Sequence, residues 1–344
     1  MFRRIYSVSE EAVFGKPATV ISGLGSYSLA DTMECGQCFR HVRLLGGSGY
    51  TDSARECLEV RARERARAED NTEYPEGYTE YLTVACGRVL KIGQRVPGEL
   101  ILYGIRADEL DSSLISFLSL DKDFDRVREE IKARTDNPLL RELADASAGI
   151  ALLTQDAWEC VFSFIISQNN NIPRIRKIIR TLSAHYGRNL SAPSGICPIT
   201  GAPICEGNCR ECGICYTFPE RDAVLADGGA GLTSAKVGFR YRYLMSLCEL
   251  TGDGRVDLDE IKKKRSLDYT LSTLKQIVGI GDKVASCCAL FAFENYDAFP
   301  VDVWIKRAID TYFDGNLNVA ALGEYAGIAQ QYIFHGIRNL KQDD

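Results

Sequence analysis

The stretch "TLSTLKQIVGIGDKVASCCALFAF" restricts the fold more than any other part of the chain. Two helical patterns meet there at Gly279-Ile280-Gly281, and Leu274, Ile277 and Val284 mark one apolar face across the junction. Glycine permits a tight turn and lets another backbone come close. The expectation is a helical hairpin whose second helix begins with outward-pointing amides suited to a phosphate oxygen. Lys283 then stands directly behind the turn. A cation at a helix N-terminus is electrostatically misplaced, so Lys283 is either a solvated charge or a residue kept for chemistry.

The surroundings of the hairpin divide in two. "YLTVACGRVLKIG" (Tyr81 to Gly93) and "ELILYGI" (Glu99 to Ile105) have β-type composition bounded by Gly and Pro. From about Asp121 the patterns are helical. "NPLLRELADAS" offers Asn137 as an N-cap with Pro138 at the first helical position. "IPRIRKIIRTLSAHYG" repeats Ile172, Ile175, Ile179, Leu182 and Tyr186 at helical spacing before Gly187. The expected fold is α+β, with a strand-rich domain over 1–120 and a helical body over 121–344 that carries a Cys-rich insertion at 193–217. The charge-dense stretch at 53–77 lacks an apolar stripe and reads as an exposed insertion.

Composition sets outer limits. The net charge of −6 argues against a protein that coats nucleic acid without selectivity. Local basic patches remain, such as Arg174, Arg176, Lys177, Arg180 and Arg188 with no acid among them. No run has the apolar length of a membrane span, and the N-terminus shows no apolar signal core. The thirteen cysteines form no disulfide framework, so a reduced, intracellular chain is expected.

Lysine is the side chain that forms Schiff bases, and its amine attacks only when neutral, a state favoured by burial and a helix N-terminus. The competing reading is a lysine that merely touches a phosphate. Downstream, "DAFPVDVWIKR" places Asp302 as an N-cap behind Pro300. Capping alone accounts for it locally. The same carboxylate can also steady an oxocarbenium-like sugar and help move protons.

The hairpin, its lysine and the aspartate of "PVDVW" resemble the helix-hairpin-helix DNA glycosylases. "FSFIISQNNNIPRIRKI", "ECGQCFRHV", "KVGFRYRYL" and "GEYAGIAQQYIF" are similar to the 8-oxoguanine DNA glycosylase/AP lyase branch, in order from about residue 30 to 335. The resemblance implies a bifunctional repair enzyme that flips oxidised guanine out of duplex DNA, excises it opposite cytosine through a lysine Schiff base, and cleaves the strand by β-elimination. It implies Lys283 as nucleophile and Asp302 as its partner. Gly36, beside Gln37, would offer a backbone carbonyl to the N7 hydrogen that guanine lacks. Gln330 would bond the base edge, with Phe334 and Cys287 on its two faces. Asn169, Arg174 and Arg240 would read the estranged cytosine, Phe239 would fill the vacated stack, and Gly279 and Gly281 would hold the backbone. A monomer without membrane contact is expected, cytoplasmic and gathered on DNA in a bacterium or nuclear in a eukaryote. The alternatives are a non-catalytic DNA-binding protein on this scaffold and a sister glycosylase with another base preference.

Two features depart from the family pattern. Trp304 stands where animal members carry histidine, as in a bacterial-type branch. The insertion "CPITGAPICEGNCRECGICYTFP" crowds Cys197 with Cys205, Cys209, Cys212 and Cys215. Four thiolates suit a structural zinc or an iron–sulfur cluster, and free thiols are the other reading. Catalysis itself is expected to need no cofactor.

Overall fold

The computed structural model describes residues 1–45, 74–190 and 213–340. Most of the charged insertion and Cys197, Cys205, Cys209 and Cys212 lie outside the described residues. The fold is α+β, as expected.

The described strands form one antiparallel sheet in the order β1-β2-β6-β5-β4-β3. They are β1 (Ser7–Val13), β2 (Lys16–Ser22), β3 (His41–Leu45), β4 (Thr79–Ala85), β5 (Arg88–Gln94) and β6 (Glu99–Tyr103). The long β-type stretch from Tyr81 thus folds back on itself. Ala85 pairs with Arg88, and Cys86 and Gly87 between them have φ of 52° and 70°. A two-residue hairpin turn of this twist needs both central residues left-handed.

The alternation of the strands decides what each face covers. Ile21, Tyr81, Ile92, Leu100 and Leu102 join the main core with the helices, whereas Val20, Ile101 and Tyr78 form a small cluster apart from it. Val42, Leu44 and Leu82 are covered by Ile214 and Cys215. Cys215, the one expected metal ligand within the described residues, therefore packs against the sheet, and its carbonyl accepts from the Leu190 amide at 2.8 Å.

Apart from a short helix at Leu29–Glu34 and a 3-10 turn at Ala107–Glu109, helices begin at Ser112 and fill most of the remaining described chain. Asn137 caps Pro138–Ala146 through the Leu140 amide at 3.1 Å, and Asn171 caps Ile172–Tyr186 through the Arg174 amide at 2.9 Å. Each is a short polar side chain satisfying an amide that the helix itself leaves open. The lysine helix (Asp282–Ala292) packs on Ala157–Ser167, and the C-terminal helix (Ala326–Leu340) packs on Pro138–Ala146 and on the aspartate helix (Val303–Tyr312). No helix among the described residues is long and apolar enough to cross a membrane.

Candidate active site and nucleic-acid interface

The hairpin forms where the sequence places it, between Leu267–Leu274 and the lysine helix. Leu274, Ile277 and Val284 are buried and bind its two arms to the core. Gly279 has φ of +85°, and a Cβ there would meet the Tyr243 ring at 2.4 Å. Gly281 is the N-cap of the lysine helix, without a capping side chain and with open space where a Cβ would go. The first turn thus presents amides that no cap satisfies, which is the anion-binding geometry of a helix N-terminus.

Lys283 is half-buried, its ammonium 5.7 Å from the centre of the Phe164 ring. Asp302 begins the aspartate helix, and its carboxylate accepts from the Ile305 amide at 2.8 Å. Cys287, one turn beyond Lys283, links the two. Burial pushes its thiol up to about 12; the Lys283 charge and a hydrogen bond from Lys283 oppose this, while Cys288 and Asp302 add to it. The charges of Lys283 and Asp302 thus both act on one buried thiol that stays protonated at neutral pH.

The remaining pocket residues close a ring of contacts around this point. Gly36 has φ of +86°, and a Cβ there would stand 3.3 Å from Phe334. Phe334 meets Trp304 edge-on with centroids 6.4 Å apart, which brings the C-terminal helix against the start of the aspartate helix. Phe164, beneath Lys283, meets Phe39 at 5.6 Å and so returns to the Gly36 loop. Gln330, one turn before Phe334, is buried, and its side-chain oxygen accepts from the Gln331 side-chain nitrogen at 2.7 Å. Gln37 is the exception among the expected pocket residues. It is fully buried, and its amide bonds to Thr32, Ala151 and Leu153 of the backbone rather than standing open to a ligand.

A second cluster lies at the end of the helix that carries Phe164. Asn169 is exposed with φ of +47°, a conformation asparagine tolerates better than most residues. Arg174 is exposed and reaches the Lys236 carbonyl at 3.4 Å. Arg240 is only 2% exposed and clamps the Gln168, Asn169 and Val237 carbonyls. Burial, then the neighbouring Arg174, lowers its guanidinium from the usual range. The structure thus places Arg240 under the asparagine turn as a support and leaves Arg174 as the open cation. Phe239 is 48% exposed and leans edge-on against Tyr243, centroids 5.8 Å apart. Tyr243 in turn carries Gly279, and Ser246 accepts from the Val278 amide at 3.1 Å. An exposed aromatic and the phosphate-type turn are therefore mounted on one helix, Tyr241–Gly252.

Phe164 and Tyr243 belong to this architecture but were not singled out in the sequence. Tyr243 was open to discovery, since it lies one helical turn after Phe239. A cavity of about 350 Å³ lined by Arg40, Thr83, Cys86, Asp156, Glu159 and Lys262 includes neither Lys283 nor Asp302. Its mixed charges and its lack of the lysine–aspartate pair separate it from the chemistry.

The chain is similar to known proteins in sequence and in fold. Residues 21–161 match the family described as 8-oxoguanine DNA glycosylase, N-terminal domain. The N-glycosylase/DNA lyase OGG1 of Arabidopsis thaliana is 26% identical over 282 residues, which cover 75% of this chain and 72% of that protein. The structure of MBOgg1 in complex with a low affinity DNA ligand aligns with TM-score 0.74 and 26% identity over 98% of this chain and 99% of that one. The Clostridium acetobutylicum 8-oxoguanine glycosylase/lyase, solved with dsDNA containing cytosine opposite 8-oxoG, shares the fold with TM-score 0.72, 24% identity and coverage of 97% and 98%.

Proposed function

Since the chain belongs to the 8-oxoguanine DNA glycosylase/AP lyase family of helix-hairpin-helix enzymes, we infer that it excises 8-oxoguanine from duplex DNA and then cleaves the strand. The observation that carries this reading is Lys283 in the first turn behind the hairpin, over the Phe164 ring, with Asp302 at the N-cap of the helix whose Trp304 meets Phe334 beside Gly36.

In this reading the damaged nucleotide leaves the stack at a cost of a few kcal/mol. Phe239 fills the gap, and Asn169 and Arg174 offer donors to the acceptors of the estranged cytosine. The base enters between Phe334 and Cys287, with its edge toward Gln330. Its N7 hydrogen donates to the Gly36 carbonyl, whereas guanine would bring a lone pair against it. The Lys283 amine attacks C1′ of the sugar while the bond from C1′ to the base breaks. Asp302 stabilises the positive charge that develops on the sugar and serves the accompanying proton transfers. The sugar ring opens to a Schiff base, and loss of a C2′ proton expels the 3′ phosphate. These steps use side chains alone.

A monomer acting in the cytoplasm on the nucleoid, or in a nucleus, fits an enzyme whose partner is damaged duplex DNA. A zinc ion held by Cys205, Cys209, Cys212 and Cys215 is a separate proposal supported by the C-x3-C-x2-C-x2-C pattern. Elemental analysis of chelator-free protein giving about one zinc per chain would support it; metal-free, active protein would remove it.

The functional reading is tested on duplexes carrying 8-oxoguanine or guanine opposite cytosine. Release of 8-oxoguanine with strand cleavage, and an intact guanine duplex, is expected. Release of a different base alone would make this a sister glycosylase.

A further inference from the structure

Gln37 makes more hydrogen bonds than a residue beside a ligand can normally spare. Its side-chain nitrogen donates to the Thr32 carbonyl at 2.8 Å and the Ala151 carbonyl at 2.9 Å. Its side-chain oxygen accepts from the Leu153 amide at 2.8 Å. Its backbone carbonyl accepts from the Gln155 side chain at 2.6 Å. Both amide hydrogens and both carbonyls are engaged, all in the interior. Thr32 adds two more ties to the same segment, accepting from the Ala151 amide at 3.1 Å and donating to the Gly149 carbonyl at 3.3 Å. The loop before β3 is thus stitched to residues 149–155, which lead into the helix carrying Phe164.

The consequence falls on the neighbouring peptide. The Gly36 carbonyl lies in the plane shared with the Gln37 nitrogen, so its direction depends on Gly36 ψ and Gln37 φ. Gln37 is held at its side chain and at its own carbonyl. Gly36 is held at the left-handed φ of +86°, with the Phe334 ring occupying the space beside it. A carbonyl fixed from both sides has little freedom to turn away from an unfavourable ligand.

We propose that Gln37 is a positioning residue that aims the Gly36 carbonyl and thereby sets discrimination between 8-oxoguanine and guanine, with Gln155 as its anchor. The inference rests on the functional reading given above. Recognition by a single acceptor works only if the acceptor stays in place. A rigid carbonyl rewards a donor and repels a lone pair, whereas a loose one turns aside and does neither. Loosening it removes recognition of the base but leaves the lysine and the sugar untouched.

The test separates base recognition from lysine chemistry. Single-turnover release of 8-oxoguanine opposite cytosine is compared with cleavage of a preformed abasic site, which has no base to recognise. Gln37→Leu keeps the volume but strands the Leu153 amide and is liable to misfold. Gln155→Leu removes only the bond to the Gln37 carbonyl and retains the Gln155 backbone bond to Phe291. For Gln155→Leu, 8-oxoguanine release should fall by about 10-fold to 100-fold, the scale of an ångström-level misplacement. Abasic cleavage should stay within about 2-fold, well below that misplacement effect. Equal losses on both substrates would mean a general structural role, and no loss on either would mean that the carbonyl is held by other contacts. Either result overturns the inference. A wild-type protein that cuts the abasic duplex but never releases 8-oxoguanine would sink the functional reading, and this inference with it.

Discussion

At Asp302 a structural role is visible and a chemical one is proposed. Its carboxylate caps a helix, and its charge is felt at Cys287 beside Lys283. Asparagine caps a helix about as well as aspartate, so Asp302→Asn keeps the cap and removes the charge. Excision should slow by about 10²- to 10³-fold, because the carboxylate acts on charge that grows in the transition state. The melting temperature and the affinity for damaged duplex should remain near those of the wild type. Single-turnover excision measured beside a thermal melt checks this; a variant that melts early yet excises normally would make Asp302 a cap only. Arg240, which the family resemblance implies as a second cytosine reader, is buried and gives its donors to nearby carbonyls, here those under the asparagine turn.

At the scale of elements, the hairpin is fixed by two glycines with different physical duties. Gly279 has a left-handed φ and no room for a Cβ, whereas Gly281 has φ of −99° and open space. Gly279→Ala should therefore destabilise the protein by about 1–3 kcal/mol, the cost of forcing a side chain into left-handed backbone. It should also shift Tyr243 and with it Phe239. Gly281→Ala adds no such strain and should cost less, about 0.5–1 kcal/mol, because alanine is a poorer N-cap than glycine. Denaturant unfolding of both variants checks the ranking, and equal losses would contradict it. The hairpin and the caps at Asn137 and Asp302 were legible because their chemistry is local: a short polar side chain or a glycine acts within three residues. The turn at Cys86-Gly87 was not, since it lacks the Asn-Gly or Asp-Gly pair that usually announces such a turn. Nor was the duty of Gln37, whose partners Ala151 and Leu153 lie far along the chain. Phe164 was hidden for a similar reason, because a buried aromatic beneath Lys283 has the pattern of any core residue.

On the scale of the whole molecule, one hydrophobic core runs from Ile21 in the sheet to Ile337 in the C-terminal helix. The sheet and the helices are thus two layers over a single interior, which holds the Gly36 loop at a fixed distance from the lysine helix. Ion pairs reinforce the seam. Arg4 meets Asp125 at 2.6 Å, and Lys122 meets Glu294 at 2.7 Å. Burial alone would raise the Asp125 carboxyl, but Ser26 and Arg4 outweigh it and hold the group below the ordinary range; Lys122 and Thr154 do the same for Glu294. A carboxyl depressed in the folded state stabilises the protein above its unfolded value and loses that contribution as pH falls through the folded one. Stability should therefore decline from about pH 5 downward, and Asp125→Asn should flatten that decline. Urea unfolding across this range checks it, and an unchanged slope would remove Asp125 from the account. The central claim remains that the misplaced lysine behind the hairpin is the nucleophile. Borohydride reduction during reaction with an 8-oxoguanine duplex, followed by peptide mapping of the cross-linked protein, tests it most directly. The cross-link should map to Lys283 and vanish in Lys283→Ala together with base release; trapping of equal yield in that variant, or a cross-link mapped to another lysine, would contradict it.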